Sequence, residues 1–352
     1  MTKTLVVCCD GTGREFSGDM TNVLRLANVL RQSPQQVVFY DPGVGTLPAP
    51  ERVSAAAKWW RMAMGLIFGY GLKGNIADAY RFLMLHYEPG DRIALFGYSR
   101  GAYTVRGLAG LLQVCGLLRR GNEHLVPYAL KIYMNFKLWG GVDSFRVNCH
   151  PSVRVDFMGV WDTVSSMYYE NRRMPHTYRN PILRTVRHAI ALDERRAYFR
   201  TNRFGSPHDG QDIREVWFPG VHGNVGGGKS AGERGPELAA FDWVMQGAGF
   251  LDFDPETLLK RTSPFERGQI APKLHESLKG LWWIAEYIPR SYLSFDPKAV
   301  RWRRKWRLYK GSARPVPEGA RVHQSVFDRI DAGGYAPKNL PTHHAVEPWE
   351  AP

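Results

Sequence analysis

Only four of the 352 residues are cysteine, and Cys8, Cys9, Cys115 and Cys149 form no C-x-x-C pair. That excludes a disulfide-framed mini-domain or a thiolate zinc site, and points to core thiols in a reducing compartment. Long hydrophobic runs are scarce too. The longest, residues 59–70, contains Arg61 and falls short of the roughly 20 apolar residues that span a bilayer. Residues 5–9 are too short for a signal-peptide core. The expectation is a chain without a Sec-type signal or transmembrane helix, cytoplasmic as made. Acidic residues are in deficit, with 33 Asp and Glu against 47 Lys and Arg, a net charge of +14. Such a balance favours anionic partners: phospholipid surfaces, nucleic acid or phosphorylated substrates. No nucleic-acid-binding motif accompanies it, so nucleic acid is not expected. No metal or cofactor is called for either.

What is present is a 44% hydrophobic chain, long enough for one large α/β domain or two modest ones. Apolar strand-like runs alternate with helical patterns, the signature of a mainly parallel sheet with helices on both faces. Strands are expected at residues 5–9, 37–40, 92–98, 153–161 and 215–221. Helices are expected at 23–30, 76–87, from 103 to 112 and around 182–192. With no internal repeat or low-complexity linker, residues 1–352 read as a single catalytic domain. Lid or cap insertions are expected near 50–75 and 115–150, and an irregular, Trp-, Arg- and Pro-rich wrap from about 255.

The most specific local signal is Gly97-Tyr98-Ser99-Arg100-Gly101-Ala102, at the join of an apolar strand and a helix. Small residues two positions either side of a serine suit a strand-to-helix turn too tight for a Cβ. Such a turn lifts the Ser99 hydroxyl clear of the sheet and aims the Arg100 N–H at a developing oxyanion. The bland alternative is a loop or cap serine.

In open α/β sheets ligands bind beyond the carboxyl ends of strands. Asp10-Gly11-Thr12, Ser99, Asp162 and His222 each follow an expected strand. Ser…Asp…His is also the chain order of α/β-hydrolases. Serine needs a base to take its proton, histidine has a suitable pKa, and a carboxylate fixes the imidazole tautomer. The candidate catalytic set is therefore Ser99, Asp162 and His222, with Asp193, Asp242, His188 and His323 as rivals. Gly11 and Thr12 join Arg100 as oxyanion candidates, against a plain strand-to-turn cap.

Two glycine runs compete for attention. Residues 223–230 match the P-loop pattern G-x-x-x-x-G-K-S/T, making a phosphate-binding protein an alternative, although Ala231 to Pro236 reads as loop where a P-loop needs a helix. Residues 69–74 fit G-x-G-x-x-G but follow a helical run, and read as a joint. Trp59 and Trp60, beside Lys58 and Arg61, suit either a membrane-contacting lid or a buried helix. In residues 301–310, Trp302, Trp306 and Leu308 interleave with six cations. This stretch reads as an edge strand with its aromatics on the core, or as a cationic face in which Arg303 and Lys305 contact an anionic membrane.

Taken together, residues 9–12, 87–91, 96–103, Trp161-Asp162-Thr163-Val164, 191–195, Trp217 to His222 and 322–326 resemble the bacterial and fungal α/β-hydrolase family that includes type VI secretion phospholipase effectors. The resemblance implies a Ser-Asp-His hydrolase fold, phospholipase A activity among characterised members, and delivery by a specialised secretion system. The chain departs from the family's usual His-Ser-Asp-Val-Gly-Gly-Gly-Tyr loop, carrying Asn224 and Lys229. The expected function is a serine ester hydrolase acting on an ester or phospholipid. A catalytically weak binding or regulatory protein with the same fold is the other class. Oligomeric state is not legible.

Overall fold

The computed structural model describes residues 2–11, 20–43, 71–164, 174–228, 236–254, 256, 274–280, 282–296 and 301–349. In chain order the elements are β1 (Thr4–Cys9), α1 (Asn22–Val29), β2 (Gln36–Asp41), α2 (Leu72–His86), β3 (Arg92–Tyr98), α3 (Arg100–Cys115), α4 (Val126–Met134), α5 (Val142–Arg146), β4 (Val155–Trp161), β5 (Leu183–Ala191) and β6 (Asp212–Phe218). There follow α6 (His222–Gly226), α7 (Pro236–Gln246), α8 (Trp282–Glu286), β7 (Arg290–Asp296), β8 (Arg301–Arg307), β9 (Ala320–His323), α9 (Gln324–Asp331) and β10 (His344–Glu347). No helix among the described residues is long and apolar enough to cross a membrane.

Eight strands form one sheet in the order β10-β9-β6-β5-β4-β3-β1-β2, every pair parallel. Parallel strands need crossovers, and the helices that provide them cover both faces. Alternation along β1 shows this directly. Leu5, Val7 and Cys9 pack into the core beneath α2, α3 and α4, while Val6 and Cys8 pack into the opposite one with α1 and α7. The four cysteines are free and buried. Every residue of α3 except Gln113 is buried, including the Arg106 guanidinium. That cation is held by the carbonyls of Thr177, Asn202 and Arg203 and lies 3.8 Å from the centroid of Phe204.

Two expectations are corrected. Residues 182–192 are not a helix but β5, hydrogen-bonded on one side to β4 and on the other to β6. A central parallel strand is buried on both faces, so it loses the period-2 alternation that marks a strand in sequence. Its polar members Arg187 and His188 are carried by Asp212 and Glu215 on β6. The C-terminal region is also more regular than an irregular wrap, because β9 and β10 extend the sheet beyond β6. The 301–310 stretch does begin as a strand, β8, paired antiparallel with β7 outside the main sheet. Its Trp306 is 65% exposed and its Leu308 41%, so these side chains do not face a core.

The strand order reverses at β1, with β2 on one side and β3 on the other, and it is beyond the carboxyl ends of strands at such a reversal that open α/β sheets bind their ligands. Glycine lets the backbones meet there. A Cβ on Gly101 would lie 2.0 Å from the Cys9 carbonyl oxygen, and one on Gly97 2.6 Å from the Ala102 backbone. Gly101→Ala is therefore expected to cost about 1–3 kcal/mol or more. The readout is a lower urea midpoint at unchanged m-value, and a wild-type midpoint would contradict the contact between β1 and α3.

Candidate functional site

Ser99 follows β3 directly and caps α3, with φ 58° and ψ −116°. This backbone conformation costs a non-glycine residue about 1–3 kcal/mol and persists only where surrounding structure enforces it. An N-cap serine ordinarily bonds the first helical turn. Here the hydroxyl makes no cap bond and instead lies 2.8 Å from His222 Nε2. Asp162, directly after β4, is likewise held at positive φ, 42°. The registers Tyr98↔Trp161 and Trp161↔Ala189 bring the ends of β3, β4 and β5 side by side, placing Ser99 beside Asp162. His222 opens α6, four residues past the end of β6.

The Asp162 carboxylate is fully buried and receives four donors. His222 Nδ1 lies 2.5 Å from Oδ2. The guanidinium of Arg314 grips both oxygens, Nη1 to Oδ1 at 2.5 Å and Nη2 to Oδ2 at 3.0 Å. The Ala191 N–H adds a bond to Oδ1 at 3.0 Å. Burial alone would push this carboxyl's pKa up, but Arg314 and His222 outweigh it and hold the pKa far below the ordinary value. With Nδ1–H donated to Asp162, the imidazole presents the Nε2 lone pair to the Ser99 hydroxyl. Burial lowers the His222 pKa, against the raising influence of Asp162, which favours the neutral ring that can accept a proton.

The surroundings fix that ring. Tyr98 packs against it at a tilt, 4.7 Å between centroids, and Phe199 meets it edge-on at 4.8 Å, backed in turn by Trp282. The His222 backbone N–H donates to Glu194 Oε2 at 3.2 Å. Glu194 is itself buried and bound by Arg196 through both oxygens and by the Ser277 hydroxyl. Glu194 figured in the sequence only within the 191–195 stretch of the resemblance and Arg196 not at all, because the strand that ends just before them read as a helix. Arg314, 152 residues from Asp162 in an unremarkable loop, carried no signal.

The rivals are engaged elsewhere. His188 bonds Glu215 at 2.9 Å and accepts the Thr163 N–H at 3.2 Å. His323 accepts the Ser325 N–H to cap α9 and stacks on Phe218, with burial holding its pKa near 3. Asp193 accepts from the Gly220 N–H and the Tyr335 hydroxyl, bracing the turn that leads to His222. Asp242 lies on α7, half-buried, with its pKa pushed up to about 6 by burial. None of these four bonds Ser99.

Among the oxyanion candidates, Arg100 is the first residue of α3. The Gly11 N–H is taken by its own neighbour, Asp10 Oδ1, at 2.6 Å, and Asp10 Oδ2 accepts the hydroxyls of Thr21 and Tyr40. Thr12, Trp59, Trp60 and Lys229 lie outside the described residues; Arg303 and Lys305 sit on β8.

The glycine loop follows a different logic from a P-loop. Its helix, α6, begins at His222, before the glycines, and the Gly228 N–H bonds the Met20 carbonyl at 2.9 Å. Asn224 accepts the Val221 N–H, closing the first turn of α6. Among the described residues, no group of three or more His, Cys, Asp or Glu could hold a metal ion.

The pKa of Glu194 falls from 4.5 to about 2, because Arg196 and its hydrogen bonds overcome burial. A depressed folded-state pKa adds stability above the unfolded value that is lost as pH falls through the folded one, here about 3 kcal/mol between pH 5 and 2. Glu194→Gln should therefore be less stable at pH 7 and lose stability less steeply on acidification. Parallel wild-type and variant curves from urea melts at pH 7, 5 and 3 would remove Glu194 from that role.

The chain is similar to known proteins in sequence. Residues 3–247 match the family described as the type VI secretion phospholipase effector Tle1-like catalytic domain. The uncharacterized protein YEL023C of Saccharomyces cerevisiae is 33% identical over 218 residues, covering 56% of this chain and 32% of its own length. The chain thus spans about a third of that relative. Two solved structures are similar at low scores. An uncharacterized protein from Pseudomonas aeruginosa gives a TM-score of 0.41 at 17% identity, covering 73% of this chain and 47% of that one. The Tle1 effector bound to the VgrG spike of the type 6 secretion system gives 0.35 at 19% identity, covering 65% and 51%. With the matched span reaching from β1 through α7, and so including Ser99, Asp162 and His222, the chain belongs to the Tle1-like phospholipase effector catalytic-domain family of type VI secretion systems.

Proposed function

We propose that the protein hydrolyses carboxylic esters through an acyl-enzyme formed on Ser99, with phospholipids as its substrates and residues 1–352 acting as one catalytic domain. The observation that carries this reading is the continuous hydrogen-bonded line Ser99 Oγ, His222 Nε2, His222 Nδ1, Asp162 Oδ2, at 2.8 and 2.5 Å. His222 takes the Ser99 proton as the oxygen attacks the ester carbonyl, then returns it to the departing alcohol. Water, activated by the same nitrogen, releases the acid. Asp162 holds the tautomer and balances the imidazolium that forms. The oxyanion is assigned to the Arg100 N–H, at the positive end of a 16-residue helix. The Gly11 N–H is committed to Asp10, although Gly11 itself lies beside Ser99.

Ser99→Ala should abolish ester hydrolysis with the fold intact, a loss of order 10⁴ to 10⁶ in kcat. Asp162→Asn should cost about 10⁴, and His222→Ala at least as much. Assays on nitrophenyl esters of short and long acyl chains, beside phospholipid vesicles, check all three. More than a tenth of wild-type activity in Ser99→Ala would sink the assignment.

An anionic membrane as partner is supported by a surface beside the same site. Trp282 of α8 backs Phe199 against His222, while the neighbouring Trp283, Ile284, Tyr287 and Ile288 are exposed. Pairing of Arg290 with Arg307 brings the exposed Trp306 and Leu308 next to them, with Arg307 and Lys310 alongside. Apolar and cationic groups together suit a bilayer interface, where each cation contributes about 1 kcal/mol. Reversing Arg307 and Lys310 to Glu should weaken low-salt binding to phosphatidylglycerol vesicles by about tenfold or more and flatten its salt dependence. Hydrolysis of a soluble short-chain ester should stay near wild type. Unchanged vesicle binding would remove this face from the membrane.

A further inference from the structure

The region beyond the matched family span reaches into the centre of the site through one side chain. Arg314 is 1% exposed, and both ends of its fork meet the two oxygens of Asp162. Nη1 also bonds the Ala191 carbonyl at 3.0 Å, and Nη2 the Phe199 carbonyl. The Arg314 carbonyl is anchored by Asn339 Nδ2 at 3.0 Å, so the backbone as well as the side chain is located. Among the described residues its Nε finds no hydrogen-bond partner. A buried guanidinium that leaves one N–H unpaired while doubly engaging a carboxylate is placed for that carboxylate.

We propose that Arg314 is a positioning residue for the Ser99–His222–Asp162 system: it sets the rotation of the Asp162 carboxylate, keeps it ionised, and restrains the basicity of His222. The inference rests on the serine-hydrolase reading above. Geometry supplies the first part. A bidentate guanidinium fixes the plane of a carboxylate, so Oδ2 is left facing His222 Nδ1. Electrostatics supplies the rest. In most Ser-His-Asp arrangements the full negative charge of the acid supports the imidazolium. Here an adjacent cation cancels much of it in a dry interior, where charges act strongly.

Of the other charged groups facing His222, Arg196 acts in the same direction as the cation at Asp162, and Glu194 opposes it. Glu194 lies against the His222 backbone N–H and is already neutralised by Arg196. His188, on β5, binds Glu215 and meets the Thr163 N–H rather than His222. Burial and the Arg196 charge lower the His222 pKa, Asp162 and Glu194 raise it, and the net direction is down. The base is therefore neutral and active to lower pH than an ordinary histidine. Removing the Arg314 charge should move the acid limb upward, because Asp162 then supports the imidazolium fully or itself takes up a proton.

The test is the pH dependence of the rate at which a fluorophosphonate labels Ser99, with the site verified by mass spectrometry, in the wild type, Arg314→Met and Arg314→Lys. Arg314→Met should shift the acid limb up by about one pH unit or more. Arg314→Lys keeps a charge but not the fork, so its limb should stay with the wild type while the plateau rate drops by about tenfold or more. Should Arg314→Met fail to fold, the Lys variant carries the test, and a wild-type plateau there would overturn the proposal. A folded Arg314→Met with a slower rate but an unmoved limb would reduce Arg314 to a structural role and overturn it too. A wild type that Ser99 labelling does not mark overturns the serine-hydrolase reading and this inference with it. Labelling at Ser99 combined with an unmoved limb overturns this inference alone.

Discussion

The site depends on keeping one carboxylate charged while it is buried from solvent. Asp162 has none of its surface exposed, and an isolated ion so placed would protonate rather than stay charged. Arg314, His222 and the Ala191 N–H satisfy it instead, and each comes from a different part of the chain. A buried pair of this kind adds little net stability, since desolvation offsets the attraction, yet breaking it leaves an uncompensated charge. The constraint therefore acts on position. β5 must end beside β4 to present Ala191, and the loop carrying Arg314 must return over the end of the sheet.

The same constraint explains where the backbone is strained. Ser99 and Asp162 both adopt positive φ at the ends of the paired strands β3 and β4. Relaxing either would swing its side chain away from His222. The surrounding packing holds them there. Gly101 lets α3 approach the end of β1, and Gly226 lets the glycine loop close on the Tyr98 ring, where a Cβ would lie 1.8 Å from it. Around His222, Tyr98 and Phe199 limit the ring to the plane in which its two nitrogens face Ser99 and Asp162.

The family match ends at residue 247, whereas the groups that complete the site's surroundings do not. Arg314, Ser277 and Trp282 all follow that point, as do the strands β9 and β10, which extend the sheet from its β6 edge. A basic, aromatic ribbon of β7 and β8 stands beside them rather than in the main sheet. The C-terminal region thus bears on the site twice, through a cation beneath Asp162 and through the apolar face next to Phe199.

By itself, the sequence determined what local chemistry can determine. The Gly97-to-Ala102 elbow was legible because only small residues fit so tight a turn. The Ser, Asp, His order and the strand ends that carry it were legible because each lies within a few residues of an apolar run. Interactions across the chain were not. β5 read as a helix because a strand buried on both faces loses its alternation, and only its pairing with β4 and β6 decides its state. The rivals Asp193 and His323 stayed open in sequence beside Asp162 and His222, which only their place after expected strands favoured, and folding gives the rivals other partners. Arg314 had no local signal at all, since a lone arginine becomes a partner of Asp162 only when 152 residues of chain bring the two together and bury them.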